Sequence, residues 1–285
     1  MDRHLPFLKA IAANPPNDLL RLVYADFLEE NGQSEWASFI RLHVQIENKS
    51  IGSVPQGTDQ HDHLRELLAL TTNRHLSAWL NHLLDAVRPV IPWVAAGQPL
   101  VTGCHHLDKA QFDVVRWKRG FPEVIELREH ILHQAGGLFE RWPVTGLRLQ
   151  DQYTFEQFST LVFLSKLTSL EVKTSNLPHP VGCGRDVWLH TPVLTHIRRL
   201  SFAFDHSVSP AWLVAFLAAL PSASFSATLS ELNFAYCYNI TDAGANTLAT
   251  ARGLDRLTTL NLTGIPLSPP AVAMLRRRFG DRLRV

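Results

Sequence analysis

The residues best equipped for chemistry fall in four groups. Cys104, His105, His106 and Asp108 carry thiol, imidazole and carboxylate, all of them metal ligands. Adjacent histidines rarely converge on one ion, and no second cluster has ligand spacing; His61 and His63 would help only if folding brought them near. Arg21, Asp26, Glu29 and Glu30, with Tyr24 among them, carry acid, base and cation on one stretch. Proton transfer would need a second acid or a nucleophile at fixed distance, and none is identifiable, so Arg21 reads as half of an ion pair that orients helices, with Asp26 or a neighbouring helix's carboxylate as its partner. Cys237 is nucleophilic only as a thiolate, and its place in a repeating apolar frame marks it as buried and inert. Arg276, Arg277 and Arg278, with Arg282 and Arg284, could meet phosphate or RNA, but cations also suit a helix C-terminus. There is no Gly-rich phosphate loop, no Gly-x-Ser-x-Gly elbow and no paired metal motif, and the 14 histidines form no orderable Ser/His/Asp set. The sequence therefore assigns no catalytic residue, no metal ligand and no cofactor.

Composition narrows the class further. The chain has 285 residues, enough for one or two domains, and 46% are apolar, which suits a packed core. A formal net charge of +1 removes any global attraction to nucleic acid or to an acidic membrane surface. Three cysteines (Cys104, Cys183, Cys237) fit a reducing compartment better than a disulfide framework. The start of the chain lacks the apolar run of a signal peptide, and no stretch reaches the roughly 18 apolar residues of a membrane helix. A cytoplasmic protein without membrane contact is expected.

The elements that must position these residues are clearest from Leu229 to Leu262. Leu229, Leu232 and Phe234 are followed by Cys237, Ile240, Thr241, Asp242, Gly244 and Leu248; Leu257, Leu260 and Leu262 then restart the frame. This is the pattern of a leucine-rich repeat of the cysteine-containing subtype. Its strand points Leu232 and Phe234 inward and Glu231, Asn233 and Ala235 outward. Thr241 or Asp242 is placed to cap a helix over residues 243–251. The frame also fits Val144-Leu147-Leu149 with Gln152 at the turn, Leu167-Leu170-Val172 with Ser175, and Ile197-Leu200-Phe202 with Asp205. The copies start at 144, 167, 197, 229 and 257, an irregular spacing of 23 to 32 residues. Ser209-Pro210 and Ser268-Pro269-Pro270 read as helix starts. Residues 178–192 read as a loop insertion.

Upstream, residues 5–13 predict a helix that stops before Asn14-Pro15-Pro16. A second, capped by Asn17 or Asp18, carries Leu20, Val23, Tyr24, Phe27 and Leu28 on one face and ends at Gly32. A third, from Ser34, turns Trp36, Phe39, Ile40, His43 and Ile46 inward. Residues 51–59 read as loop and 63–87 as one or two more helices. Phe112–Trp117 and Glu123–Leu127 alternate around 118–122 and predict a β-hairpin whose Trp117 and Phe121 cover the open end of the repeats. Residues 128–141 predict a helix leading into the first copy.

Residues 6–42 resemble the bacterial repeat-companion domain. The match lies at Phe7, Leu8, Ala10, Ile11, Asn14, Pro15, Arg21–Asp26, Phe27–Glu30, Gly32 and Phe39–Leu42, with Trp36-Ala37-Ser38 departing from the usual Arg-Ala-Glu. Trp117–Phe121 and the ending 275–280 also resemble that family. Such proteins commonly carry leucine-rich repeats after the domain. The resemblance implies an interaction role without naming a reaction or a ligand.

The fold class expected is α/β: an N-terminal α-helical module followed by a short leucine-rich-repeat solenoid, with parallel strands on the concave face, helices on the convex face and a β-hairpin cap. The boundaries are 1–100 for the helical module, 101–143 for the capping hairpin and helix, and 144–285 for about five repeats with a C-terminal cap helix. The function expected is a non-enzymatic scaffold for an unidentified protein partner, with nucleic acid disfavoured. Its partner-binding residues are the outward strand positions Arg148, Gln150, Glu171, Lys173, Arg199, Ser201, Glu231, Asn233, Thr259 and Asn261, with Tyr236 and Tyr238 as alternative anchors on the rim. The competing readings are an enzyme with a site around Arg21, Tyr24 and Asp26, and a phosphate or nucleic-acid binder using the arginine-rich C-terminus.

Overall fold

The structure is a computed structural model that describes residues 3–51, 112–128, 132–133, 135–150, 160–174, 189–204 and 209–285. The Cys104-His105-His106 group, His61 and His63, the expected helices of 63–87, most of the 178–192 insertion and the turn residues Gln152, Ser175 and Asp205 lie outside the described residues. The fold is mixed α/β, with N-terminal helices and an open sheet of eight strands that follow one another in chain order. The chain divides into two compact units, Met1–Ile125 with Gln134–Val144, and Glu126–His133 with Thr145–Val285.

In the first unit, α1 (Leu5–Ala13) ends at Asn14, ahead of two prolines. The Asn17 side chain caps α2 (Asp18–Glu30) by accepting from Leu19 N and Leu20 N. The buried stripe of α2 is Arg21, Tyr24, Ala25 and Leu28, an i, i+3, i+4, i+7 pattern. Val23, expected in the core, falls off that stripe and is 46% exposed, while Arg21 is 3% exposed. Along α3 (Ser34–Ile51), Trp36, Phe39, Ile40, His43 and Ile46 are buried as their spacing predicts. Strands β1 (Phe112–Lys118) and β2 (Phe121–Arg128) form a hairpin tighter than expected, joined by Arg119 and Gly120 alone. Both turn residues have positive φ, 50° and 80°, the signature of a type I′ turn. Gly120 is required twice over, because a Cβ there would lie 2.7 Å from Ile40 Cγ1 and 2.8 Å from Ile40 Cα. The Trp117 ring meets Phe39 edge-on at 5.7 Å, and Phe121 lies 6.0 Å from Tyr24. Of the helix expected over 128–141 the described residues show a helical Leu132 and α4 (Gly136–Arg141), while β2 takes Arg128.

In the second unit, β3 (Gly146–Gln150), β4 (Ser169–Thr174), β5 (Arg199–Phe204), β6 (Glu231–Asn233) and β7 (Thr259–Asn261) pair in parallel. Their register aligns Leu147, Leu170, Leu200, Leu232 and Leu260 in one row, the frame read from the sequence. All five leucines are at most 1% exposed. Phe202 and Phe234 stack behind them at 5.1 Å, with the Phe216 edge on Phe202. Cys237 is buried and its Sγ donates to Phe202 O, so the thiol pairs with the backbone of the neighbouring layer. Between β5 and β6 runs α5 (Pro210–Ala219), capped by Ser209; between β6 and β7 runs α6 (Asp242–Thr250); after β7 runs α7 (Pro269–Phe279), capped by Ser268. The described parts of the earlier connections contain 3-10 turns, Val162–Lys166 and Pro192–Leu194. The chain then adds a short strand not expected from the sequence, β8 (Leu283–Arg284), parallel to β7.

Candidate functional site

Alternation along parallel strands in register puts every second residue on the face opposite the leucine row. The expected binding residues sort into three lines on that face. Arg199, Glu231 and Thr259 share one; Arg148, Glu171, Ser201, Asn233 and Asn261 share the next; Gln150 and Lys173 are partners in a third, although their side chains lie outside the described part. Glu231 is exposed and Arg199 half-buried.

The middle line is largely occupied with itself. Arg148 lies between two carboxylates, 2.8 Å from Glu171 and 3.4 Å from Glu126. The basic end expected from Arg148, Lys173 and Arg199 is therefore altered, because Arg148 is neutralised from within and Glu126, itself buried, adds a negative charge. Asn233 donates through Nδ2 to Ser201 Oγ at 3.0 Å and accepts from Ala235 N. In the next layer Asn261 accepts from Thr263 N and from the Thr263 hydroxyl. These amides hold each strand's exit in shape before they hold anything else.

At that exit the chain makes a left-handed step. Tyr236 has φ 63°, and Gly264, which stands at the same offset in the following layer, has φ 78°. Glycine meets this requirement without strain, whereas a tyrosine there stores roughly 1 kcal/mol or more. Gly264 also leaves room for the Tyr236 ring, since a Cβ would come within 2.6 Å of Tyr236 Cδ1. Tyr236 is 59% exposed and Tyr238 48%, with ring centroids 6.5 Å apart. They are exposed aromatics beside an otherwise polar row.

The residues of the competing readings are placed differently. Arg21 and Tyr24 are buried, whereas Asp26 is exposed and pairs with Arg41 at 2.7 Å, as does Glu29. Those two carboxylates push the Arg41 guanidinium above its ordinary pKa. Asp26, one of the partners expected for Arg21, is thus taken by Arg41, which belongs to α3. Tyr24 Oη lies 2.9 Å from His4 Nδ1. At the C-terminus, Arg278 donates to Leu248 O and Ala251 O and approaches Asp255, while Arg282 donates to Asp255 O and Leu257 O. Both guanidiniums also lie over the Phe279 ring, at 5.0 and 5.7 Å. These two arginines satisfy carbonyls at the end of α6 and the turn that follows, and only Arg276, Arg277 and Arg284 remain exposed from that run.

Sequence reasoning missed Glu126, whose contact with Arg148 depends on the hairpin. It also missed Arg119 and Asp18, which meet at the hairpin tip with Arg119 Nε 2.8 Å from Asp18 Oδ1. The Arg-Gly turn, standing where Asn-Gly is usual, was the available signal. Among the described residues no group of three or more His, Cys, Asp or Glu could hold a metal ion, and no helix is long and apolar enough to cross a membrane. A scan against protein-family models finds no match, and neither does a search of curated proteins.

Proposed function

We propose that the chain is a non-enzymatic protein-interaction scaffold of the leucine-rich-repeat type, binding a protein partner through its strand face. The reading rests on one observation above others: a tyrosine occupies a left-handed position that the next layer gives to glycine, and its ring is exposed beside Tyr238. Aromatic side chains dominate interface energies, and strain retained at a surface turn is accounted for when the side chain has work outside the fold. Five strands at about 4.8 Å spacing make a face roughly 20 Å across, near the scale of a modest interface. Arg199, Glu231, Asn233, Thr259 and Asn261 form the polar field beside the tyrosines. Arg148 and Glu171 serve it indirectly, since each is held by the other. The cytoplasmic setting and the likeness of the N-terminal helices to the repeat-companion domain belong to the same proposal.

The test is affinity capture from a lysate of the native host with wild type and with Tyr236→Gly/Tyr238→Ser. Glycine is the residue the fold itself uses at this turn, so the variant keeps its Tm. A partner held by wild type and lost by the variant supports the reading. A partner held equally by both removes the tyrosines from the interface, and Arg199→Glu/Glu231→Lys then decides whether the strand face is used at all.

A further inference from the structure

We propose that Arg21 and Arg119 form a binding site for a single carboxylate group at the tip of the hairpin, apart from the strand face. Arg21 is 3% exposed and carries a positive charge, yet its one protein acceptor is the carbonyl of Asn17, 3.1 Å from Nη1. Its Nε is buried with no acceptor, and among the described residues no carboxylate is in salt-bridge contact with it, Asp18 and Glu123 acting on it only through space. Buried cations are ordinarily paired, and a native guanidinium left with most of its five N–H groups unused calls for a missing acceptor.

The second cation is beside it. Burial and, after it, repulsion by Arg119 lower the Arg21 pKa to about 10, still well above neutrality, so Arg21 stays charged. Arg119 adopts φ 50° in a turn that prefers asparagine, and its Nε lies 2.8 Å from Asp18 Oδ1 without the alignment of a hydrogen bond. Asp18 compensates Arg119, and Glu123, the other carboxylate that acts on Arg21, is held by Arg116 and Lys118, so positive charge is left in excess here. The Phe121 ring lies 5.7 Å from the Arg21 guanidinium carbon and supplies an apolar wall.

The ligand class follows from this arrangement. The first free amides of α2 are already taken by the Asn17 side chain, so recognition falls to the guanidinium forks. A fork matches the two oxygens of a carboxylate in bidentate geometry. A monoanion cancels the excess charge, whereas dianionic phosphate would face Asp18 at close range. The group is accordingly a carboxylate, free in a small molecule or carried on an acidic peptide.

The experiment uses the full chain at pH 7 and constant ionic strength, with sodium acetate, a short glutamate peptide, inorganic phosphate and sodium chloride compared. Two quantities are read: Tm, and the NMR signal of the Arg21 Nε–H, assigned by its absence in Arg21→Met. Acetate or the peptide should raise Tm by about 2–4 °C over chloride and shift the Nε–H signal saturably. Tighter binding of the peptide than of acetate puts the group on a polypeptide, and equal binding puts it on a small molecule. Arg119→Asn keeps a favourable turn residue, so it should stay folded and lose both responses. An acetate response of equal size in wild type and Arg119→Asn overturns the site, as does an unmoved Nε–H signal. A saturable phosphate response stronger than acetate's overturns the carboxylate assignment.

Discussion

Arg21 in the helical unit and Arg148 in the strand unit are both withdrawn from water, and they are compensated in opposite ways. Arg148 stands on a strand whose neighbours on either side each bring a carboxylate, so its charge is matched twice. Arg21 stands on a helix stripe among Tyr24, Ala25 and Leu28, with one carbonyl acceptor and another arginine nearby. The contrast extends beyond the two residues. In the strand unit polar groups are satisfied by the layer next door: Thr168, Ser230 and Thr258 hydroxyls donate to carbonyls at the preceding strand's entrance, and Cys237 does the same at a strand's exit. Among the described residues the helical unit shows no such ladder, and it buries His43 Nε2 as well as Arg21 Nε without a partner, where the strand unit leaves Arg148 Nε and Thr191 Oγ1 so. Parallel repetition favours satisfaction, because a strand's neighbour in register brings its carbonyls to the same height. Helix packing offers no such guarantee, and charge is left over.

The largest expected effect tests this through pH. His43 is 6% exposed beside the edge of Phe39, and burial lowers its pKa from 6.5 to about 4. A depressed pKa means that the unfolded chain takes up the proton first. The stability that neutral His43 contributes is intact above pH 6.5 and is lost as pH falls toward 4, by about 3 kcal/mol in all. Denaturant unfolding at pH 7 and pH 4 should show that loss in wild type and a much smaller one in His43→Leu. Equal pH dependence in both proteins would mean that the imidazole finds a partner when charged, and the contrast between the units would weaken.

The arginines themselves should respond with opposite signs. Arg148→Met leaves Glu126 and Glu171 facing each other without a counter-charge, a loss of about 2 kcal/mol, between the values for exposed and buried pairs. Adding Glu171→Gln should recover most of it. Arg21→Met removes a buried charge that lacks an ion pair and keeps an unbranched stem against Phe121, so stability should hold or rise by about 1 kcal/mol. Chemical denaturation of the three variants decides the matter. Two losses of similar size would mean that Arg21 is as well compensated as Arg148.

The same contrast governs what was legible in the sequence. The strand rows were readable because Leu147, Leu170, Leu200, Leu232 and Leu260 each recur within a local frame, and parallel register follows once the frames are stacked. The helix starts at Asn17, Ser209 and Ser268 were readable because a cap is a bond between residues three apart. The pairing of Arg148 with Glu126 spans 22 residues, so nothing near Arg148 announces it. Exchanging Val23 for Arg21 in the core was unreadable for a different reason. Hydrophobicity favours valine, and only the rotation of α2 set by Tyr24, Ala25 and Leu28 places the arginine inside. Tyr236 lies between these cases. Its offset from Gly264 hints at a left-handed turn, but the strain becomes visible only with the backbone angle.

The smallest expected effect separates two helix starts within the strand unit that look alike in sequence. Ser268 caps α7, its Oγ accepting from Ala271 N at 3.4 Å, and Ser268→Ala should cost about 1 kcal/mol. Thr241 occupies the same position before α6 with extended backbone, yet its side chain makes no capping bond. Thr241→Ala should therefore change stability by less than about 0.5 kcal/mol, the usual size for a surface substitution without a partner. The neighbouring Asp242 is directed elsewhere: its Oδ1 accepts from Ser268 N, and hydrogen bonding to the Ser268 side chain, then to that backbone N–H, draws its carboxyl below the ordinary range and ties the start of one helix to the start of the next. Asp242→Asn should then act on α7 rather than on α6, as hydrogen exchange at Val272 and Ala245 would show. Faster exchange at Ala245 alone would return Asp242 to its own helix and undo the layer-to-layer logic that distinguishes the strand unit from the helical one.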